Sequence, residues 1–345
     1  MNARAHDLRI FEVVKETAEA VTLIFDVPDE LTDRFGYAPG QFLTVRVPSD
    51  RDGSVARCYS LCSSPHCDER MAVTVKRTPD GYASNWICDN VAVDSVLTVL
   101  EPSGAFVPRS LGDDVLLCAA GSGITPIMSI AKSVLVAGAG HVTLVYANRD
   151  SDSVIFDRQL RELAEKFPAR LHVAHWLVEH RGMPTAAGIA ELVAPYTGRE
   201  VYLCGPAAFA AATTDALRGL GVSADRIHLE EYRSLDSNPF VAPAAEPAPG
   251  GAAGGPVVHV EFDGDTYDFD WPDQTPLLDV LLAAGLDIPY VCRESACGTC
   301  VCWVKSGRTR MRQNESLIDE ELERGLTLAC QTLPESDRVH VAFDQ

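Results

Sequence analysis

Cys292-Arg-Glu-Ser-Ala-Cys297-Gly-Thr-Cys300, followed much later by Cys330, sets four thiols in the pattern C-x4-C-x2-C…C. Three ligands on one tight loop and a fourth from a remote segment can enclose two irons, each taking two thiolates. This is the spacing of a [2Fe–2S] centre. Structural zinc sites usually space two C-x2–4-C pairs, which the triple does not resemble; a zinc site and unrelated buried cysteines stay as the alternatives. Gly298 lets the backbone come close to sulfur, and amides along the Ser295–Thr299 turn are placed to donate to it. Cys302 alternates onto the same side as Cys300, but four ligands are already supplied, so it is not expected to bind metal.

Outward from this loop the chain reads as a small module over 256–345. Val257–Phe262, an Asp263-Gly264 turn and Thr266–Asp270 form a hairpin signal. Thr275-Pro276 then reads as an N-cap with proline at the first helical position. Leu277, Leu278, Leu281 and Leu282 supply a buried face, and Gly285 an end. The module carries seven Lys+Arg against seventeen Asp+Glu, half of the chain's net charge of −20. Such a surface suits a basic redox partner or plain solubility. Upstream, 236–255 is rich in Ala, Pro and Gly with little to bury, the composition of a tether.

The body before the tether divides in two. Residues 1–110 hold short alternating runs (Ala20–Asp26, Gln41–Pro48, Met71–Arg77, Ser95–Leu100) punctuated by turn dipeptides, which predicts an antiparallel barrel or sandwich. Residues 111–235 change pattern. Solid apolar strands at Val115–Ala119, His141–Tyr146, Leu171–Trp176 and Val201–Leu203 alternate with helical patterns at Pro126–Leu135 and Ser153–Lys166, which predicts a parallel sheet with crossovers.

Composition narrows the function. At 345 residues the length suggests two or three domains, and 46 % hydrophobic with 23 % charged residues excludes wholesale disorder. A charge of −20 argues against a nucleic-acid partner. No apolar run approaches a membrane span, and no signal-peptide core precedes Leu8. Eleven cysteines are then expected to be thiols or metal ligands in a cytoplasmic protein.

Two further motif groups carry chemistry. Arg57-Cys-Tyr59-Ser60-Leu61 offers a guanidinium that can fork onto a pyrophosphate, a flat aromatic face for an isoalloxazine ring, and a hydroxyl near the hydride-accepting nitrogen. Gly81-Tyr-Ala-Ser84-Asn85 can begin a helix whose amides cradle phosphate. Gly121-Ser-Gly123-Ile-Thr125-Pro126 lies between a strand and a helix, the context of a dinucleotide loop, but ends in proline and so departs from G-x-G-x-x-G. Cys204-Gly205-Pro206 and Glu230-Glu-Tyr232 each follow a strand. Packing alone would also account for Cys204 and Tyr232. His172 and His175 alternate in facing and are not expected to share a metal; Cys58, Cys62, Cys67 and Cys88 lack a ligand spacing.

These motifs in this order resemble the ferredoxin–NADP⁺ reductase superfamily, followed by a plant-type ferredoxin domain, over the whole chain apart from the tether. Arg57–Pro65, Val75–Trp86, Ala120–Ile130 and Tyr146–Phe156 most resemble the reductase components of 3-ketosteroid 9α-hydroxylases. The phenylacetyl-CoA epoxidase reductases, which serve a diiron enzyme, share the architecture. The resemblance implies an antiparallel β-barrel flavin domain, an α/β parallel-sheet nucleotide domain and an α+β, β-grasp-like ferredoxin domain. It implies FAD held by Arg57, Tyr59, Ser60, Leu61, Val75 and Lys76, with its pyrophosphate at Gly81 and Ser84. Gly121, Gly123, Thr125 and Pro126 would receive the nicotinamide dinucleotide, bordered by Cys204, Gly205 and Pro206. Ser60, Cys204, Glu230 and Tyr232 would stand nearest the reacting rings, and Cys292, Cys297, Cys300 and Cys330 would bind the cluster.

The implied route runs from NADH through FAD and [2Fe–2S] to a terminal Rieske oxygenase. Flavin is the needed converter between a two-electron donor and a one-electron cluster. Arg149 is able to pair with a 2′-phosphate, so NADPH stays open, while the resemblance favours NADH. A non-catalytic zinc-binding scaffold is the alternative from another class.

Overall fold

The computed structural model describes residues 4–50, 53–235, 238–241 and 255–343. Its contacts separate two compact units, His6–Ser234 and Met1–Ala5 with Leu235–Gln345. Among the described residues no helix is long and apolar enough to cross a membrane.

The larger unit opens with six strands: β1 (Ala5–Lys15), β2 (Ala20–Asp26), β3 (Phe42–Ser49), β4 (Gly53–Ser60), β5 (Ala72–Lys76) and β6 (Val96–Leu100), with helix α1 (Tyr82–Asn90) between the last two. They form one sheet in the order β4-β3-β6-β1-β2-β5. An isolated bridge between Leu61 and Val73 joins its two ends and closes the expected barrel. Leu8, Leu23, Leu43, Val45, Val73 and Val75 fill the interior. Each fully buried side chain of this kind contributes about 1.5–3 kcal/mol.

Five parallel strands follow: β7 (Val115–Ala120), β8 (Val142–Asn148), β9 (Leu171–Leu177), β10 (Glu200–Cys204) and β11 (Ile227–Glu230), ordered β11-β10-β7-β8-β9. Every residue of β7 and β8 is buried, as a sheet covered on both faces requires. The connecting helices are α2 (Ile124–Ala137), α3 (Asp157–Lys166), the single turn α4 (Val178–Arg181), α5 (Ala186–Val193) and α6 (Ala207–Gly219). Ala20, Cys62, Ala72 and Phe106 of the barrel share a core cluster with Ile127, Met128, Ile130 and Ala131 of α2. Helix α3 starts at Asp157, four residues later than the pattern suggested. Asp150 and Ser153 cap a separate 3-10 turn, and Phe156 adopts a left-handed φ of 63° that interrupts the helix.

The smaller unit holds β12 (Val257–Phe262), β13 (Asp265–Asp270), α7 (Leu277–Ala283), β14 (Val301–Ser306), β15 (Thr309–Met311), α8 (Asp319–Glu323), β16 (Leu326–Leu328), β17 (Thr332–Pro334) and β18 (Arg338–Ala342). The main sheet runs β13-β12-β18-β14-β16, with β12 and β18 parallel and the other neighbours antiparallel, the mixed arrangement expected of a β-grasp-like domain. Leu277, Leu278 and Leu281 of α7 are fully buried against it, together with Trp271. The helix starts one residue later than expected, with Pro276 itself as the N-cap and no side-chain cap. Most of the expected 236–255 tether lies outside the described residues. Within 238–241, however, Val241 N–H bonds to Asn238 O and Phe240 is buried, so that end is not featureless.

Candidate functional site

Four segments of the larger unit converge on one corner. Ser60 ends β4, Thr125 lies in the first turn of α2, Cys204 ends β10, and Tyr232 follows β11. The Ser60 hydroxyl donates to Tyr232 Oη at 3.3 Å, Thr125 Oγ1 and Tyr232 Oη lie 2.7 Å apart, and Tyr232 also donates to Ser122 O at 3.3 Å. Cys204 hydrogen-bonds to the same phenol. The Tyr232 ring is 48 % exposed while its hydroxyl end is enclosed. Burial pushes the Cys204 thiol and the Tyr232 phenol up, so both are neutral at physiological pH. Glu230, half-buried on the preceding strand, is pushed up to about 7 by loss of hydration.

A cavity of about 250 Å³ opens beside this corner, lined by Ser122, Gly123, Gly205, Pro206, Tyr232 and Arg233 among others. It lies at the carboxyl ends of the parallel strands, where open α/β sheets take ligands. The glycines have a steric cause. A Cβ on Gly123 would stand 2.1 Å from Cys204 O, and Gly121 holds φ at +53°. The dinucleotide loop and the Cys204-Gly205-Pro206 turn therefore touch backbone to backbone. Thr125 Oγ1 donates to Ser122 O at 3.1 Å, and Pro126 is buried in α2's first turn.

The flavin-side residues divide by what they offer. Arg57 Nη1 donates to Ala56 O at 2.7 Å; Tyr59 pairs across from Leu43, its phenol pushed up by burial. The side chains of Leu61 and Val75 are spent in the barrel core, so only their backbone is open to a ligand. Lys76 Nζ stands 3.6 Å from where a Cβ on Gly121 would be, which sets a positive charge beside the loop. Gly81 caps α1, and Ser84 Oγ accepts from Thr78 N–H at 3.1 Å, fixing the turn before the helix. Ser122, Ala207, Glu231 and Arg233 line the cavity but were not singled out from sequence; their adjacency to matched motifs was the available signal.

The cysteine loop of the smaller unit arranges its thiols as two hydrogen-bonded pairs, Cys292 with Cys297 and Cys300 with Cys330. Cys297 hydrogen-bonds to Cys292, and its Sγ lies 3.2 Å from Thr299 Oγ1. With amides of Glu294, Cys297 and Ala296 it holds Cys292 down to about 6 from the usual 9.0, while Cys297 is pushed well up. Ser295 N–H donates to Cys330. Two pairs suit a binuclear cluster, one pair per iron. The loop has further marks of a ligand cradle. Arg293 and Ser295 hold left-handed φ values of 59° and 66°, and the buried Ser295 Oγ has no hydrogen-bond partner among the described residues. Cys302 is buried, its thiol pushed up by loss of hydration alone but for the charge of Cys330.

Comparison with known proteins assigns the family. The profile of the oxidoreductase FAD-binding domain matches residues 7–107, that of the oxidoreductase NAD-binding domain 117–215, and that of the 2Fe-2S iron-sulfur cluster binding domain 260–335. The 3-ketosteroid-9-alpha-monooxygenase ferredoxin reductase component of Mycobacterium tuberculosis is 55 % identical over 345 residues, covering 98 % of this chain and 96 % of that one. A component of the 1,2-phenylacetyl-CoA epoxidase of Escherichia coli is 31 % identical over 357 residues, covering 98 % of each chain. The solved structure of a phthalate dioxygenase reductase shares the fold over 98 % of both chains, with a TM-score of 0.56 at 23 % identity.

Fold and site together define a modular oxidoreductase with FAD-, nicotinamide- and [2Fe–2S]-binding domains. The chain belongs to the family of ferredoxin reductase components of 3-ketosteroid-9-alpha-monooxygenases. The zinc-scaffold alternative is thereby set aside.

Proposed function

We propose that this chain is the NADH-dependent reductase component of a 3-ketosteroid 9α-hydroxylase and delivers electrons to the Rieske centre of a terminal oxygenase. The observation that carries the reading is the convergence of Ser60, Thr125, Cys204 and Tyr232 beside one cavity. When bound, the nicotinamide supplies an electron pair as hydride, FAD converts the pair to single electrons, and the cluster carries them one at a time.

The chain's own residues bind and place these groups. Arg57, Tyr59, Ser60 and the backbone at Leu61 and Val75 would hold the flavin, with Gly81, Ser84 and the charge of Lys76 toward phosphate. Gly121, Gly123, Thr125 and Pro126 would receive the dinucleotide, against Cys204, Gly205 and Pro206. Cys204 and Tyr232, both neutral, would border the reacting rings without a competing charge, and Glu230 would hold a proton nearby below pH about 7. The four thiols of the cysteine loop would hold the irons.

NADH is supported by the surroundings of Arg149. Its Nε bonds to Asp150 at 2.7 Å and its Nη1 lies 3.7 Å from Glu19, so a 2′-phosphate would meet two carboxylates already in place. Eleven cysteines, none in a disulfide among the described residues, suit a reducing, cytoplasmic setting. The 31 % identity to an epoxidase component keeps a diiron acceptor as the rival. Reconstitution with purified oxygenases decides: NADH-driven 9α-hydroxylation of a 3-ketosteroid by a Rieske oxygenase supports the reading, and turnover with only the diiron epoxidase overturns it.

A further inference from the structure

Helix α2 carries four polar side chains along one face, Thr125, Ser129, Lys132 and Ser133, at helical positions i, i+4, i+7 and i+8. On an isolated helix this stripe would face water. Here all four are buried, Lys132 at 9 % exposure and Ser129 and Ser133 at 0 %. Each finds its partner on the barrel segment that continues from Ser60, apart from Thr125, which reaches Ser60 through the Tyr232 hydroxyl. Ser129 Oγ donates to Ser63 O at 2.5 Å, Ser133 Oγ and Ser64 Oγ lie 2.8 Å apart, and Lys132 Nζ donates to Asp68 Oδ2 at 2.5 Å. The barrel side is braced in turn. Asp68 Oδ2 accepts Ser64 N–H at 2.6 Å, and Ser63 Oγ meets Tyr37 Oη at 2.7 Å and accepts Ala72 N–H at 2.9 Å.

The rungs run from 60 with 125 through 63 with 129 to the last turn of the stripe, where the neighbouring residues 133 and 132 meet 64 and 68. Ser133 Oγ also donates to Ser129 O at 2.7 Å inside the helix, but a shifted register would still break the bonds of Ser129, Lys132 and Ser133 to the barrel and leave Ser129 Oγ and Lys132 Nζ without those partners. We propose that Lys132, with Ser129 and Ser133, is a positioning element: this ladder, buried except at Asp68, fixes the distance between Ser60 on the flavin side and Thr125 on the nicotinamide side, and so the approach of the two rings. The inference rests on the assignment of those two sides given above.

The test uses full-length protein loaded with FAD and cluster. Lys132→Met and the double variant Ser129→Ala/Ser133→Ala are mixed anaerobically with NADH, and the long-wavelength flavin–nicotinamide charge-transfer absorbance is recorded with the rate of flavin reduction. The expected result is a weakened or shifted charge-transfer band and hydride transfer slowed about tenfold to a hundredfold, the cost of a misplacement near 1 Å. Lys132→Arg, which keeps the charge, should restore both. Variants with a wild-type band and rate but a lowered melting temperature would overturn the proposal, leaving the ladder a structural seam alone. Should Lys132→Met fail to fold, the serine double variant, which keeps the Lys132–Asp68 pair, decides by the same readouts. Failure of the underlying reading looks different, since NADH would then produce no band and no flavin reduction in the wild-type protein.

Discussion

Cys292, Cys297 and Cys300 come from one run of nine residues, whereas Ser60 and Tyr232, hydrogen-bonded in the flavin–nicotinamide corner, lie 172 residues apart. The cluster loop is organised locally. Left-handed residues and backbone amides within the loop aim at its own sulfurs, and only Cys330 arrives from a distance. The corner is organised globally, since no single segment supplies more than one of its four side chains and the barrel must meet the parallel sheet before it exists. A locally built site fails when a ligand is removed. A globally built one fails when the spacing between domains changes.

That contrast is open to attack at several points. Cys300→Ala breaks one thiol pair and should abolish iron and acid-labile sulfide retention and cluster-dependent electron delivery to an oxygenase, while NADH still bleaches the flavin. Iron analysis and anaerobic spectra check it, and a variant that keeps its cluster would show that the loop is not the ligand set. Gly123→Ala attacks spacing instead. Its Cβ would stand 2.1 Å from Cys204 O, so the dinucleotide loop has to move. Flavin reduction should slow about tenfold to a hundredfold, with a stability loss of about 1–3 kcal/mol.

Tyr232→Phe removes the phenol shared by Ser60 and Thr125, and thermal unfolding should report about 1 kcal/mol lost per hydrogen bond. Glu230 gives a pH signature. Its folded-state value near 7 lies above the ordinary 4.5, so the folded protein holds the proton more tightly than the unfolded chain. The stability this contributes is present below pH 4.5 and is lost as pH rises through 7. Glu230→Gln should therefore gain on the wild type across that window, and parallel melting curves at pH 5 and pH 8 test it. The subtlest change is at the cofactor's 2′ end. Asp150→Ser removes the nearer of the two carboxylates that hold Arg149 and should raise kcat/KM for NADPH by about two- to fivefold, the worth of one exposed ion pair.

The same contrast governs what could be read in advance. Many strand positions were visible because alternation and solid apolar runs depend only on neighbours, and β2 falls on Ala20–Asp26 as the pattern predicts, whereas β1 and the short strands β15 to β18 were not singled out. The start of α3 was hidden by a competing cap, Asp150 with Ser153, that only backbone geometry reveals. Phe240, lost in an Ala/Pro/Gly stretch, gave no sign of its burial. The ladder was least legible of all. Ser129, Lys132 and Ser133 look like the solvent face of an amphipathic helix, and Ser63, Ser64 and Asp68 look like a turn. Polar residues paired across a seam carry no periodic signature until the two surfaces are brought together.

Anaerobic titration of the purified protein with NADH, read by visible absorption together with iron, sulfide and flavin analysis, bears most directly on the central assignment. Two irons, two sulfides and one FAD per chain are expected, with the flavin band and then the broad cluster absorption bleaching as NADH is added. A protein that binds FAD yet retains no iron or sulfide after anaerobic reconstitution, or whose cluster absorption NADH leaves untouched, would contradict it.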